Sequence, residues 1–278
     1  MISALILTHN EATDLPGCLR SLIGCTDIHV FDSGSDDDTC RIAREAGAHV
    51  FFHPFEGYAA QRNAALRICP FQSEWILVLD ADERLPDGLI KLLQQTVAAA
   101  SPETAGFRMR RRDHFEGHWL KHAQLTPTYV RLFRKGRARY HREINEVIEV
   151  EGIVADLPYH FDHHPFSKGL AHWLRRHIAY AEREAAQWHA ERAGGPRFSL
   201  YMALFSTDPQ QRRFHQKGLF YRLPFRPVIK WCYMMFVRGA FLDGSAGIRY
   251  ARLQALYESW IVDFAREYRR KEDQLQHD

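Results

Sequence analysis

The stretch Trp75-Ile76-Leu77-Val78-Leu79-Asp80-Ala81-Asp82-Glu83 constrains the fold more than any other part of the chain. Five apolar residues end abruptly in three acids within four positions. The run is short and lies between Pro70 and Pro86, so it reads as a buried strand. Asp80 and Asp82 are two apart, and extended backbone would send both carboxylates to one side. Like charges placed there call for a cation between them. Mg²⁺ is typically held by one or two carboxylates together with substrate phosphates. Standing alone, however, Asp-x-Asp is common enough to favour a solvated turn ahead of the helix that follows Pro86.

The preceding residues change that balance. Ile2–Thr8 is an apolar, β-rich run that ends in Thr8-His9-Asn10-Glu11, and a helical pattern follows around Leu15, Leu19 and Leu22. Asp27–Asp32 is a second strand, ending at Asp32-Ser33-Gly34-Ser35 and the acids 36–38. A helix is predicted over 39–47, a third strand over 48–53 and another helix over 58–67. Strand and helix alternate with short connections up to Trp75–Asp80, which argues for right-handed βαβ units and a parallel sheet. Ligands of such sheets bind outside the carboxyl ends of the strands. Three strand ends carry polar clusters, so a site at that edge becomes the better reading. Asp36, Asp37 and Asp38 are expected to be mostly solvated acids near a helix N-terminus, where the dipole favours them.

Some chemistries are disfavoured. No Gly-x-Gly-x-x-Gly follows the first strand, no P-loop signature is present, and there is no Gly-x-Ser-x-Gly elbow. From Gly106 the pattern is β-rich and irregular, suited to the acceptor-side wall of a cleft. A helix is predicted over 167–192 with Ser167 as its N-cap and Gly194-Gly195-Pro196 as its stop. Residues 197–240 interleave aromatics with eight Arg or Lys and a single acid, Asp208, leaving the remainder of the chain at −4. A basic, aromatic, amphipathic stretch points to an anionic membrane surface rather than to nucleic acid. The stripe Leu253, Leu256, Tyr257, Trp260, Ile261, Phe264 and Tyr268 predicts a last, core-packed helix.

Four segments together resemble family 2 glycosyltransferases. They are Leu7–Glu11, Phe31–Asp37, Gly57–Asn63 and Leu79–Glu83. Tyr129–Arg134 with Asn145-Glu146, and Arg238–Gly244, are similar to a branch of lipopolysaccharide-core β-glucosyltransferases. The resemblance runs from Met1 to about residue 260. It implies an α/β fold of the GT-A type: a mostly parallel, Rossmann-like sheet flanked by helices over residues 1–195. A basic, aromatic helical extension occupies 196–278. The implied reaction moves a sugar, glucose foremost, from a UDP-sugar to a saccharide on a lipid carrier, with inversion. The alternative acceptor is polyprenyl phosphate or another surface polysaccharide. A non-catalytic nucleotide-sugar-binding scaffold is the alternative of another class, and the paired acids argue against it.

By the same resemblance Thr8, Asn10, Glu11, Asp32, Gln61, Arg62, Asn63, Asp80 and Ala81 bind the nucleotide-sugar. Asp80 and Asp82 hold Mg²⁺ or Mn²⁺, with Asp80 acting directly or through water or ribose, and Glu83 supports them. A guanidinium such as Arg62 suits phosphate oxygens. Single-step inversion needs a general base, which the motif places at Glu146, with Asp113 in reserve. Related sequences often carry His-Glu where this one has Asn145-Glu146, so a partner of the carboxylate is absent. His163 and His164 are expected to be exposed loop residues, since no cysteine pair accompanies them as in structural zinc sites; His160 is a weaker donor-side or metal-side candidate. Five cysteines form no CxxC pair, and Met1 leads straight into a strand-like run. That combination points to free thiols in a reducing compartment. The expected location is therefore cytoplasmic, peripheral on the inner face of the cytoplasmic membrane.

Overall fold

The computed structural model describes residues 1–141, 147–194 and 198–275. The chain forms two compact units, one of Met1–Trp119 with Thr126–Lys168, the other of Leu120–Leu125 with Gly169–Asp278.

The first unit opens with β1 (Ile2–Thr8), α1 (Leu15–Ser21), β2 (Asp27–Asp32), α2 (Thr39–Glu45), β3 (His49–Phe52), α3 (Tyr58–Ile68) and β4 (Trp75–Asp80). It continues through β5 (Glu83–Arg84), α4 (Leu89–Ala98), β6 (Thr104–Phe115), β7 (His118–Trp119), β8 (Thr128–Arg134), β9 (Ala138–His141), β10 (Val147–Val150) and β11 (Ile153–His163). The central sheet runs β3-β2-β1-β4-β8-β6-β11-β5, with β7 paired to β6, and β9 and β10 form a separate antiparallel pair. β3, β2, β1 and β4 are mutually parallel, as are β6 and β11. β8 runs antiparallel to both its neighbours, and β5 antiparallel to β11.

Continuous apolar runs arise in β1 and β4 because both faces of these strands are covered. Ile2, Ala4, Ile6, Trp75, Leu77 and Leu79 pack on one side with Leu15, Leu22, Ile90 and Leu93 from α1, α4 and the turn after α1. Leu5, Ile76 and Val78 pack on the other side with Ala64 and Ala65 of α3. The alternation then sets the site. Asp80 continues the parity of Ile76 and Val78, which is the α3 side of the sheet. The chain turns at Ala81-Asp82 before β5 begins, so the expected common direction of Asp80 and Asp82 is broken, and the two acids have different partners.

The second unit contains α5 (Leu170–Gly194), α6 (Leu200–Phe205), α7 (Pro209–Phe220), α8 (Arg226–Cys232), a π-helical turn (Tyr233–Val237), a 3₁₀ turn (Ala240–Asp243) and α9 (Gly244–Leu275). Its core joins Ala181, Ala185 and Trp188 of α5 to Tyr221 and to Ile261 and Ala265 of α9. For that reason α5 belongs with the helical unit, and the division falls at Lys168 rather than at residue 195. Ser167 does not cap α5. Its hydroxyl donates to Asp14 at 2.7 Å, and the helix begins after Gly169, whose φ is +84°.

Candidate active site

Register brings the polar strand ends together. Thr8 lies opposite Asp32, and Leu7 opposite Asp80. Asp32, buried, accepts hydrogen bonds from the Gly34 and Ser35 N–H groups (3.2 and 2.8 Å), from Ser35 Oγ (2.5 Å) and from Thr8 Oγ1 (3.3 Å). It therefore organises the turn after β2. Asn10 has φ +56°, a conformation Asn tolerates better than most residues. Its N–H donates to Ser35 Oγ at 2.8 Å, and its Oδ1 accepts from the Asp36 N–H at 2.9 Å. The two loops are thus laced into one wall.

Glu11 stands beside them. Its Oε1 meets Lys168 Nζ at 2.7 Å, whereas its Oε2 is buried with no hydrogen-bond partner. Burial pushes its carboxyl up to about 7 against the pull of Lys168. A buried, unsatisfied carboxylate oxygen is costly unless something completes it.

The acids after β4 divide between two sets of cations. Asp80 Oδ1 accepts from Arg62 Nη2 at 2.8 Å, and Oδ2 from Arg131 Nη2 at 3.2 Å. Burial would raise the Asp80 carboxyl, but the two guanidinium groups outweigh it and hold it far below the usual carboxylate range. Glu83, fully buried, pairs with Arg131 through Oε1 and accepts the Asp80 N–H through Oε2 at 3.0 Å. Burial pushes its carboxyl up. It thus ties the Asp80 backbone to Arg131.

Asp82 is met by His163, with Nε2 3.3 Å from Oδ2. The same imidazole places Nδ1 2.5 Å from Asp113 Oδ1, and Asp113 is in turn paired with Arg111 at 3.0 Å. Strand pairing explains this meeting: His163, at the end of β11, sits opposite Asp113 of β6 on one side and Glu83 of β5 on the other. Burial works against charge on His163, but Asp113 and Asp82 win and raise it to about 9. His163 is thus a largely buried site residue, correcting the expectation of an exposed loop. His164, also only partly exposed, stacks on His114 and donates its N–H to the Asp82 carbonyl at 2.9 Å. Burial, with Arg84 and His114 nearby, lowers it to about 4. Asp113 is buried within β6.

Two other residues have structural duties. Asn63 engages both ends of its side-chain amide with Tyr140, accepting its N–H at 2.9 Å and donating to its carbonyl at 2.8 Å. Gln61 is buried and donates to the His53 carbonyl at 3.2 Å. Ala81 is buried in the core beneath the site. Glu146 and Asn145 lie outside the described residues; the strands on either side, β9 and β10, pair His141 with Val147. Burial and the nearby Arg112 lower His160. Sequence reasoning missed His163, Asp113 as its partner, Lys168 and Arg131. For Arg131 alone there was a local signal, a base in the middle of the strand pattern YVRLFR.

Among the described residues no group of three or more His, Cys, Asp and Glu forms a complete metal cage. Asp82 and His163 offer one oxygen and one nitrogen donor. That set suits a cation whose remaining ligands come from phosphate and water. The fold and these strand ends define an α/β protein whose charged and polar side chains gather at the carboxyl edge of its parallel strands.

Residues 3–151 match the model of Glycosyl transferase family 2. The lipopolysaccharide core biosynthesis glycosyltransferase LpsC of Rhizobium meliloti (strain 1021) is 30% identical over 264 residues, covering 92% of this chain and 88% of that protein. The chain belongs to glycosyltransferase family 2. Among solved structures, residues 1–349 of TarS from S. aureus align with a TM-score of 0.43 and 12% identity, over 97% of this chain and 91% of that one. Glucosyl-3-phosphoglycerate synthase of Mycobacterium tuberculosis, crystallised with Mn²⁺, UDP and glucosyl-3-phosphoglycerate, aligns with a TM-score of 0.34 and 20% identity over 41% of this chain and 44% of that one.

Proposed function

We propose that this protein transfers a sugar, glucose foremost, from a UDP-sugar to a saccharide hydroxyl on a lipid carrier such as the lipopolysaccharide inner core, with inversion. The observation that carries the reading is the Asp82–His163 pair at the carboxyl edge of the sheet, beside Asp80 and Arg62. Membership of the family and the likeness to a core-biosynthesis glycosyltransferase support the substrate class. In this reading Asp82 and His163 hold Mg²⁺ or Mn²⁺, and Asp80 acts at one remove, through water or ribose. The cation, when bound, offsets the charge that gathers on the leaving diphosphate. Thr8, Asn10, Glu11 and Asp32 form the nucleoside wall, with the unpaired Glu11 Oε2 available to a ligand donor.

The acceptor oxygen forms its bond to the anomeric carbon as the bond to the diphosphate oxygen breaks. The hydroxyl proton passes to a general-base carboxylate, a role assigned by motif position to Glu146. The reaction is placed on the cytoplasmic face of the inner membrane, with the helical unit against anionic lipid. No helix among the described residues is long and apolar enough to cross a membrane. The test is UDP release from UDP-glucose with and without Mn²⁺ or Mg²⁺. Asp82→Ala should lower it by about two orders of magnitude, and full activity in that variant would overturn the cation assignment. Glu146→Gln should lose turnover while keeping donor affinity; equal loss of both would remove Glu146 from the role of base.

A further inference from the structure

Within the helical unit, the segment from Phe225 to Leu242 holds large apolar side chains out in solvent by construction. Phe225 is 79% exposed, Val237 72%, Phe236 70%, Leu242 61%, Val228 59% and Phe241 49%. Each is fixed by a neighbour that points inward. The Arg226 guanidinium is buried, paired with Glu258 of α9 and lying 4.0 Å over the Tyr221 ring. Two residues further on, about 200° around the helix, Val228 faces away from that anchor. Trp231 packs edge-on against Phe236 at 6.0 Å. Met234 and Met235 are buried, so the π-helical turn sends Phe236 and Val237 outward. Asp243 closes the segment: its carboxylate accepts the N–H groups of His122 (2.9 Å) and Ala123 (2.7 Å), holding Phe241 and Leu242 in the exposed 3₁₀ turn.

The charge around this patch selects its partner. Residues 209–242 contain seven Arg or Lys and neither Asp nor Glu. Two copies of such a surface would repel each other, and a basic partner is equally disfavoured. Nucleic acid fits poorly, because the protruding groups include aliphatic side chains that cannot stack on bases. An anionic bilayer satisfies both features at once: bases at the phosphate level, apolar groups just below it. We infer that Phe225, Val228, Phe236, Val237, Phe241 and Leu242 form a wedge that enters the headgroup region of an anionic membrane. This deepens the membrane placement proposed above and rests on it.

The test uses the full chain with vesicles of phosphatidylglycerol and phosphatidylethanolamine, against phosphatidylcholine alone. Wild type should bind the anionic vesicles, and a lipid brominated near the headgroup should quench its tryptophan fluorescence, with Trp231→Phe removing that quench. Phe225→Ser with Phe236→Ser should weaken binding about a hundredfold, roughly tenfold for each ring. Arg238→Glu should weaken it by at least about fivefold, the worth of one base near anionic lipid. Donor hydrolysis, read as UDP release without acceptor, should stay at the wild-type level in all three. Anionic binding that the double serine variant leaves unchanged, or that gives no quench, would overturn the wedge and leave the membrane placement standing. Absence of binding to any vesicle would overturn both. Concentration-dependent self-association lost in the double variant would assign the patch to a second copy instead. The quench on wild type decides the matter should the serine variant fail to fold.

Discussion

If, as proposed, Asp82 and His163 receive the cation, it has to displace a proton from His163, and the size of that competition follows from the site. Asp113 and Asp82 hold the imidazole at about 9, against an ordinary value of 6.5. That difference corresponds to about 3 kcal/mol in favour of the charged form. At pH 7 on the order of one molecule in a hundred has the neutral ring a metal needs. Affinity for Mn²⁺ in the presence of UDP should therefore rise about tenfold per pH unit between pH 6.5 and 8.5, and level off above about 9. Calorimetry in buffers of different ionisation enthalpy counts the released protons directly, and close to one should appear at pH 7.

Asp113→Asn separates the two tasks of the second carboxylate. With one anion gone, His163 gives up its proton more readily, so the pH slope and the proton release at pH 7 should both shrink. The limiting affinity at high pH should nonetheless fall by about 10–100-fold, because an oriented imidazole is lost. Wild-type binding that releases no proton at pH 7 would refute the competition. A variant that keeps the full slope would show that Asp113 does not hold the proton. The same linkage acts on folding: the stabilisation from charged His163 is complete below pH 6.5 and lost as pH rises through about 9.

Arg131→Leu strands Glu83, fully buried, without its cation; it should destabilise the protein by about 3–5 kcal/mol, and adding Glu83→Leu should recover most of that. A urea midpoint close to wild type for the single variant would contradict the pairing. Glu11, raised to about 7, makes the folded state lose stability as pH climbs from 4.5 to 7. Glu11→Gln should gain on wild type by on the order of 3 kcal/mol between pH 4.5 and 8, and a pH-independent difference would refute the burial argument. Asn63→Ala should cost about 2 kcal/mol, one for each hydrogen bond to Tyr140. UDP affinity should stay within about twofold; a larger loss would return Asn63 to the donor site.

The half of the fold that residues state locally was legible in the sequence. Ile2–Thr8, Asp27–Asp32 and Trp75–Asp80 occur as read, because strands buried on both faces announce themselves as apolar runs with polar ends. The other half depends on pairing at long range. β11 enters the sheet between β6 and β5, and only that insertion brings His163 to both Asp113 and Asp82, 50 and 81 positions away. No local pattern distinguishes such a histidine from its neighbour His164. Ser167 likewise carries the mark of a helix cap, yet its hydroxyl is used by Asp14. Asp80 and Asp82 looked equivalent by spacing, and a two-residue turn made them unlike.

That difference bears on why a cation and a donor should enter together. Asp80 and Glu83 face Arg62 and Arg131, while Asp82 and Asp113 face His163 and Arg111. With His163 charged, these side chains balance. A sugar diphosphate adds about two negative charges to this balanced, partly buried set, and Arg62 cannot turn wholly to it without exposing Asp80. A divalent cation that expels the His163 proton adds a net charge of about one and relieves half of that excess. UDP and Mn²⁺ should accordingly strengthen each other's binding by the same factor, since coupling between sites is reciprocal. Two titrations check this: UDP with and without Mn²⁺, and Mn²⁺ with and without UDP. The Asp82→Ala variant should abolish the coupling while leaving metal-free UDP affinity in place. Coupling that survives in that variant would mean the cation rides on the diphosphate alone and that Asp82 and His163 do not receive it.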